Sequence, residues 1–452
     1  MKVPQFDLTR QYSDIKNEIG AQIDRILSSG KVILGENVAE IEKEVANYVG
    51  VKFAVGVASG SDALLIGLRA LGVEPMWNID FRKIHSELDS ESSDFIDKGR
   101  EDWIPAFAGM TRKGAGMTKK GAGMTKSAQA ENEIEKYGND VFVITTPYTF
   151  FATASCIVRN GAIPVFIDVD PYSYNIDLGK VEEWLDKNSK SLHPHTVKAI
   201  IPVHLFGRSI DLKKLKEITT KYNLKILEDC AQSIGSECMV NGDIMKTGAA
   251  GDIGIFSFFP TKNLGAYGDG GMIVTNDEAL YTRCKNLRVH GAGKKYYHEE
   301  IGYNSRLDEL QAAILRIKLK YLDKWTNKRI ELAKIYDKLF TDNGLSEFII
   351  WPKVPNNGLK EHIYHQYVIE LKDESKRDSL INFLKEAGIG TSIYYPLPLH
   401  LQKCFSYLGY KEGSMPVSEH LAKSTVAIPM FPELTESEVE YVVGKIKEYF
   451  KR

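Results

Sequence analysis

The chain of 452 residues carries 58 Lys+Arg against 60 Asp+Glu, a formal net charge of -2, with 43% hydrophobic and 26% charged residues. That length allows a sizeable core and two domains, and the balance is that of an ordinary soluble globular protein. With no basic excess there is no wholesale attraction to phosphate backbones, so no nucleic acid is expected, and no apolar run approaches the roughly 20 residues of a membrane span. The opening MKVPQFDLTRQYSD is broken by Pro4, Asp7 and Arg10, which does not suit a secretory signal. The expected location is cytoplasmic. Cys156, Cys230, Cys238, Cys284 and Cys404 are odd in number and form no CxxC pair. That argues against a disulfide framework and against structural zinc, and no metal is expected. Small buried hydrophobes are the expected role for these cysteines.

In chain order, two helical stripes come first: Ile15, Ile19, Ile23 and Leu27, then Val38, Ile41, Val45 and Tyr48. Gly30 and Gly50 end them. From there to about residue 275, the runs FAVGVAS, VFVITT, IPVFIDV, VKAIIPV, LKILED, GIFSFF and GGMIVT alternate with helical segments. That rhythm predicts an α/β domain with a mainly parallel seven-stranded sheet. Many runs end in small or polar residues, Ser59, Thr146, Asp168, His204, Asp229 and Ser257. Ligands of open parallel sheets sit beyond the carboxyl ends of strands, so these residues outline a candidate site.

An insert at about 76–138 interrupts this rhythm, with AGMT recurring every seventh position in DWIPAFAGMTRKGAGMTKKGAGMTK. Two glycines per unit and no sustained apolar seam argue against a coiled coil and for disorder. It resembles peptides translated from mobile palindromic repeats in some bacteria, and no chemistry is assigned to it. Lengthening a loop tenfold costs only about 2 kcal/mol of closure entropy, so the fold can survive it. The last third brings a helix with Leu307, Leu310, Ile314 and Ile317, a strand in HIYHQYVIEL, and TSIYYPLPLH. It closes with a capping-box helix, Thr435 to Glu438 preceding Val439, Val442 and Ile446. The expected division is a large domain over 1–290 and a smaller α+β domain over 291–452.

The strongest chemical signal is SFFPTKNLGAYGDGG, Ser257 to Gly271. Lys262 lies just past a strand, between Pro260 and a glycine-rich stretch, where the amine is free to reach inward as a nucleophile. A surface lysine is the ordinary alternative, and neighbouring motifs argue against it. Asp229 ends a strand, with Gln232 about one helical turn on. If the cofactor is pyridoxal phosphate, a carboxylate there can hold its pyridine nitrogen protonated, although a helix N-cap would look the same in sequence. Ala58-Ser59-Gly60-Ser61-Asp62 runs from a strand through a glycine into a helix start, the composition of a phosphate cradle and also of a plain capped helix. Pro147-Tyr148-Thr149-Phe150-Phe151 offers aromatic faces that could stack on a flat ring or fill a core.

Taken together these motifs resemble the DegT/DnrJ/EryC1/StrS family of sugar aminotransferases. The likeness extends through ILGENVAEIEKEVANYVG, VASGSDALLIGLRALGV, TPYTFFATAS, KAIIPVHLFG, ILEDCAQSIG, GYNSRLDELQAAIL and YYPLPLH. It implies the aspartate-aminotransferase (type I) fold, with pyridoxal 5'-phosphate as cofactor. It also implies transfer of an amino group, from glutamate by analogy, to a nucleotide-linked keto-sugar in amino-sugar or polysaccharide synthesis. By position, Lys262 would form the imine link to the cofactor, Asp229 would pair with the pyridine nitrogen, and Gln232 would lie by the ring hydroxyl with Phe150 over the ring face. Gly60, Ser61 and Ser257 would bind the phosphate. Asn304 would reach the cofactor phosphate of the neighbouring subunit, which implies a homodimer with shared sites. His204, Tyr395 and His400 are expected on the substrate side. Some relatives are dehydratases with histidine in place of the lysine, which this chain keeps, and others were named as regulatory or sensory proteins.

Overall fold

The computed structural model describes residues 1–73, 141–188, 197–355 and 357–451. The insert expected at 76–138 lies outside the described residues. Each of the seven apolar runs yields a strand of one sheet. In chain order they are β1 (Phe53–Val57), β2 (Phe142–Thr145), β3 (Ile163–Phe166), β4 (Val197–Ile200) and β5 (Lys225–Asp229), then, after a hairpin of β6 (Glu237–Val240) and β7 (Asp243–Lys246), β8 (Ile253–Ser257) and β9 (Gly271–Thr275). Their spatial order is β1-β9-β8-β5-β4-β2-β3. Only β9 runs antiparallel to its neighbours; the other pairs are parallel. The strand interiors are buried almost throughout, as apolar runs covered on both faces require.

The first helices are α1 (Leu8–Ser29), α2 (Glu36–Val49), α3 (Gly60–Ala70) and α4 (Phe151–Arg159), followed by α5 (Leu178–Asn188), α6 (Leu212–Tyr222) and α7 (Glu278–Leu287). Asp7 caps α1 by accepting from the Thr9 N–H, and Gly30 ends it in the left-handed conformation. The buried stripe of α1 is Ile15, Ile19 and Ile26, whereas Leu27 is 58% exposed. The α2 amino terminus is capped from far along the chain. The Glu309 carboxylate accepts from the backbone N–H groups of Gly35 (3.0 Å), Asn37 (2.6 Å) and Val38 (3.1 Å). α3 and α4 pack on each other beside the sheet, with Leu64, Leu65, Leu68, Cys156 and Ile157 in one core with Val143, Leu227 and Ile255.

Beyond residue 291 come the short pair β10 (Ala292–Lys294) and β11 (Tyr297–His298), then α8 (Glu309–Leu319), α9 (Leu322–Asp342) and β12 (Ile349–Ile350). They are followed by β13 (Tyr367–Leu371), α10 (Arg377–Glu386), α11 (Pro416–Ser424), β14 (Thr425–Ile428) and α12 (Glu436–Lys451). β12, β13 and β14 form an antiparallel sheet. Its core takes Tyr336 and Phe340 from α9, Leu380 and Leu384 from α10, and Val439, Val442 and Ile446 from α12. Val3 joins this same core from the far end of the sequence, bridged to Ile389. α8 instead packs on α1 and α2, with Ala312 and Leu315 in the core that holds Val38, Ile41 and Val45. Met1–Val73 and Val141–Arg452 group as one unit. Four of the five cysteines are buried, and Cys404 is exposed. No helix among the described residues is long and apolar enough to cross a membrane.

Candidate active site

The carboxyl ends of β1, β5 and β8 converge because β9 stitches β1 to β8. Gly271 is paired with Val57 on one side and with Ser257 on the other. Glycine is required at two contacts here. A Cβ on Gly271 would fall 2.4 Å from the Ser59 carbonyl carbon, and one on Gly60 would fall 2.6 Å from the Ser257 Cβ. The turn Ser59-Gly60-Ser61 is thereby pressed against Ser257. Ser59 caps α3, its hydroxyl accepting from the Asp62 N–H at 3.1 Å, while Ser305 donates to Asp62 Oδ2 at 2.8 Å and accepts from the Ala58 N–H at 3.1 Å. The result is a fixed helix amino terminus whose first-turn N–H groups have no intrahelical acceptors, with serine hydroxyls beside them.

Lys262 sits in the loop that follows β8. That loop closes on itself through Ala266 N–H to Phe258 O (2.8 Å) and Lys262 N–H to Phe259 O (2.8 Å). Gly265 permits the closure, since a Cβ there would meet the Pro260 carbonyl oxygen at 2.2 Å. The Lys262 side chain keeps some surface open, yet burial lowers its ammonium to about 8, with the Asp229 charge pulling the other way. Asp229, at the end of β5, is buried. Its Oδ2 accepts from the Thr153 hydroxyl (2.9 Å) and its Oδ1 from the Ala231 N–H (3.2 Å). Burial raises its carboxyl above the usual value, against the pull of those two donors and of the Lys262 and His204 charges. Among the described residues no cation lies within ion-pair distance of it. A buried carboxylate without a paired cation, an amine brought down to about 8 within electrostatic reach and a donor-rich helix start suit a cationic pyridine ring, an aldehyde and a phosphate. The residues present therefore fit pyridoxal phosphate.

Gln232 and Tyr395 join this group. Gln232 Nε2 donates to the Tyr395 hydroxyl at 3.2 Å, and its Oε1 accepts from the Phe206 N–H at 2.6 Å. Burial, then the nearby Asp229 charge, pushes the Tyr395 phenol well up. Phe150 precedes α4 and is 58% exposed, its ring 6.3 Å from that of Tyr395. Three strand-end residues go elsewhere. Asp168 accepts from the Val417 and Ser418 N–H groups and the Ser418 hydroxyl, tying β3 to α11. His204 is wholly buried, with Nε2 on Glu228 at 3.0 Å and Nδ1 accepting from the Ile210 N–H at 3.1 Å. Both ring nitrogens are used, so the expectation that His204 meets substrate is corrected. Thr146 accepts from the Tyr148 N–H and serves its own turn. His400 is buried, with Nε2 on Glu419 at 3.0 Å, its ring against Tyr410 and its Nδ1 without a hydrogen-bond partner among the described residues. Asn304 lies on the surface, bridged to Val289 and outside the Asp229–Lys262 group.

Ligand atoms of His204, Glu228 and Cys230 lie within 4.8 Å of one another. The Glu228 carboxylate, however, already accepts from Gly248 (2.9 Å), Ala250 (2.9 Å) and Gly251 (2.6 Å) as well as meeting His204. This is a saturated hydrogen-bond brace behind β5. Thr153 was not singled out from the sequence. Its signal was present, since Thr149 and Thr153 stand four apart across the start of a helix that follows a strand, the spacing that puts two side chains on one face.

A family profile described as the DegT/DnrJ/EryC1/StrS aminotransferase family matches residues 13–79 and 124–447. A "Pleiotropic regulatory protein" of Geobacillus stearothermophilus is 40% identical over 451 residues, covering 100% of this chain and 99% of the relative. The UDP-N-acetyl-3-dehydro-alpha-D-glucosamine 3-aminotransferase of Acidithiobacillus ferrooxidans is 35% identical over 445 residues, covering 98% and 97%. Among solved structures, a DegT DnrJ EryC1 StrS aminotransferase from Brucella abortus superposes with a TM-score of 0.78 at 31% identity, covering 100% of both chains. NtdA of Bacillus subtilis with bound cofactor PMP gives 0.76 at 26%, covering 100% of this chain and 86% of that one. With the type I α/β fold, the lysine loop and the buried aspartate at a strand end, these matches make the chain a member of the pyridoxal-phosphate-dependent DegT/DnrJ/EryC1/StrS aminotransferase family.

Proposed function

We propose that this chain transfers an amino group from glutamate to a nucleotide-linked keto-sugar, in a cytoplasmic homodimer whose two sites are shared. The single observation that carries the reading is the Lys262 amine, brought down to about 8 by burial within reach of the buried Asp229 carboxylate. Bound pyridoxal phosphate supplies an aldehyde for amines and a ring that withdraws electrons from the bond being broken. Asp229 is placed to hold the ring nitrogen protonated. Lys262 Nζ, once free and uncharged, would take the proton from the donor's alpha carbon and deliver it to the carbon on the far side of the amino nitrogen. Gly60, Ser61 and Ser257 anchor the phosphate, Phe150 covers the ring, Gln232 lies by the ring hydroxyl, and Tyr395, hydrogen-bonded to Gln232, stands on the substrate side with His400. Asn304 is proposed to reach the partner subunit's phosphate. In the same reading residues 1–290 form the cofactor-binding domain and 291–452 the smaller one, with Val3 anchored in the latter.

The keto-sugar class is supported by the Acidithiobacillus relative, whose name specifies a UDP-linked 3-dehydro sugar. A regulatory role is the second reading, favoured by the name of the Geobacillus relative. Borohydride reduction followed by peptide mapping separates the two, because an enzyme yields a pyridoxyl label on Lys262 and the regulatory reading predicts none. A screen of nucleotide-linked keto-sugars with glutamate, read by product mass, then identifies the acceptor. Initial-rate lines for donor and sugar are expected to run parallel, as a ping-pong scheme requires; intersecting lines would overturn the two-stage scheme.

A further inference from the structure

We propose that Thr153, with Thr149 behind it, is a positioning residue that fixes and orients the Asp229 carboxylate through a one-way chain of buried hydroxyl hydrogen bonds. The inference rests on the aminotransferase reading and deepens it, because it names what holds the group that holds the cofactor ring. The geometry is direct. Thr149 Oγ1 lies 3.1 Å from Thr153 Oγ1, and Thr153 Oγ1 lies 2.9 Å from Asp229 Oδ2. All three residues are buried.

The direction of the chain follows from the chemistry of its end. An ionised carboxylate only accepts, so Thr153 must spend its one proton on Asp229 and take its own hydrogen bond from Thr149. Two hydroxyls aligned this way polarise each other, and a donor to the charged form favours that form. The Ala231 N–H holds the other oxygen, so Thr153 decides which way the carboxylate plane faces. α4 is the lever. Phe150 is its N-cap and Thr153 lies in its first turn, so one short helix and its cap present both the ring-covering aromatic and the hydroxyl that aims the carboxylate.

The other groups facing Asp229 do not do this work. Lys262 and His204 act on it through charge at a distance. His204 is committed to Glu228 and Ile210, and Cys156, Cys230 and Tyr395 feel the Asp229 charge without donating to it among the described contacts.

The test compares Thr153→Val, which removes the hydroxyl at nearly constant shape, with Thr153→Ser, which keeps it, and with Thr149→Val, which cuts the chain one link earlier. Each variant is titrated with pyridoxal phosphate, and the visible absorbance of the loaded protein is followed against pH. Thr153→Val is expected to weaken cofactor binding about tenfold, the scale of one hydrogen bond to a charged group. It should also move the absorbance midpoint upward by about one pH unit, because a less firmly protonated ring lets the linked nitrogen keep its proton longer. Thr153→Ser should restore both, and Thr149→Val should shift both in the same direction by less. If Thr153→Val fails to fold, Thr149→Val against Thr149→Ser makes the same comparison. Unchanged affinity and midpoint in the valine variants, or equal losses in the serine and valine variants, overturn the inference. No binding by the unsubstituted protein overturns the aminotransferase reading itself, and this inference with it.

Discussion

An amine adds to an aldehyde only when uncharged, and burial brings the Lys262 ammonium down to about 8. Below that pH the reactive fraction falls as protons are taken up. The rate at which the apoprotein captures pyridoxal phosphate is therefore expected to rise about tenfold per pH unit up to about 8 and then level off, whereas an exposed lysine would keep rising to about 10.4. Stopped-flow absorbance across that range checks it, and a rate still climbing at pH 9.5 would contradict the shift. Lys262→Ala is expected to lower turnover about a thousandfold and to abolish the borohydride label. Gly60→Ala puts a methyl 2.6 Å from the Ser257 Cβ, so cofactor affinity should fall while the far-UV circular dichroism stays the same. Lys262, Asp229 and Gly60 were legible because each stands in a run of residues whose types only make sense together. His204 was misread for the opposite reason. The letter for histidine does not say whether tertiary neighbours such as Glu228 and the Ile210 N–H have already taken both its nitrogens.

Helix ends and faces divide the same way. The capping box at α12 forms as its four letters suggest, with the Thr435 N–H on Glu438 (2.9 Å) and the Glu438 N–H on the Thr435 hydroxyl (3.3 Å). Thr435→Ala is expected to cost about 1 kcal/mol. α2 has no such local signal, because Asn37 and its cap Glu309 are 272 positions apart. Glu309→Ala strips three backbone N–H groups of their acceptor and is expected to cost about 2 kcal/mol or more. Urea unfolding should show a lower midpoint at unchanged slope, and a midpoint equal to that of the parent would mean that water replaces the cap. In α1, stepping by four from Ile15 reaches Leu27 only after drifting about 120° around a helix of 3.6 residues per turn, whereas Ile26 is about 20° away. That is why Ile26 is buried and Leu27 faces outward.

At the scale of the molecule, the shared-site proposal makes a mixing prediction. If Asn304 serves the neighbouring site, subunits carrying Lys262→Ala and subunits carrying Asn304→Ala are each defective alone. Their mixture should recover about a quarter of the parent activity, since half the dimers are mixed and each of those has one intact site. No recovery after confirmed subunit exchange would place Asn304 outside the partner's site. The family match omits residues 80–123, and the flanking Val73 and Val141 precede β2 at its amino-terminal side, away from the carboxyl ends where Asp229 lies. Removing 80–123 is accordingly expected to leave cofactor affinity within about twofold, given the weak length dependence of loop closure. The sequence by itself determined the seven strands and the strand-end positions of the lysine, aspartate and glycine, because alternation of apolar runs, glycine turns and strand-end polar residues are local patterns written within a few tens of residues, and the type I fold followed from the family resemblance its motifs carry. Only the tertiary structure decided that Glu309 caps α2, that Val3 belongs to the C-terminal core, that both ring nitrogens of His204 are already engaged, and that Thr153 meets Asp229. Those facts depend on which distant groups share a buried space, and a hydrogen bond between residues far apart in the chain exists only once the fold has brought donor and acceptor together.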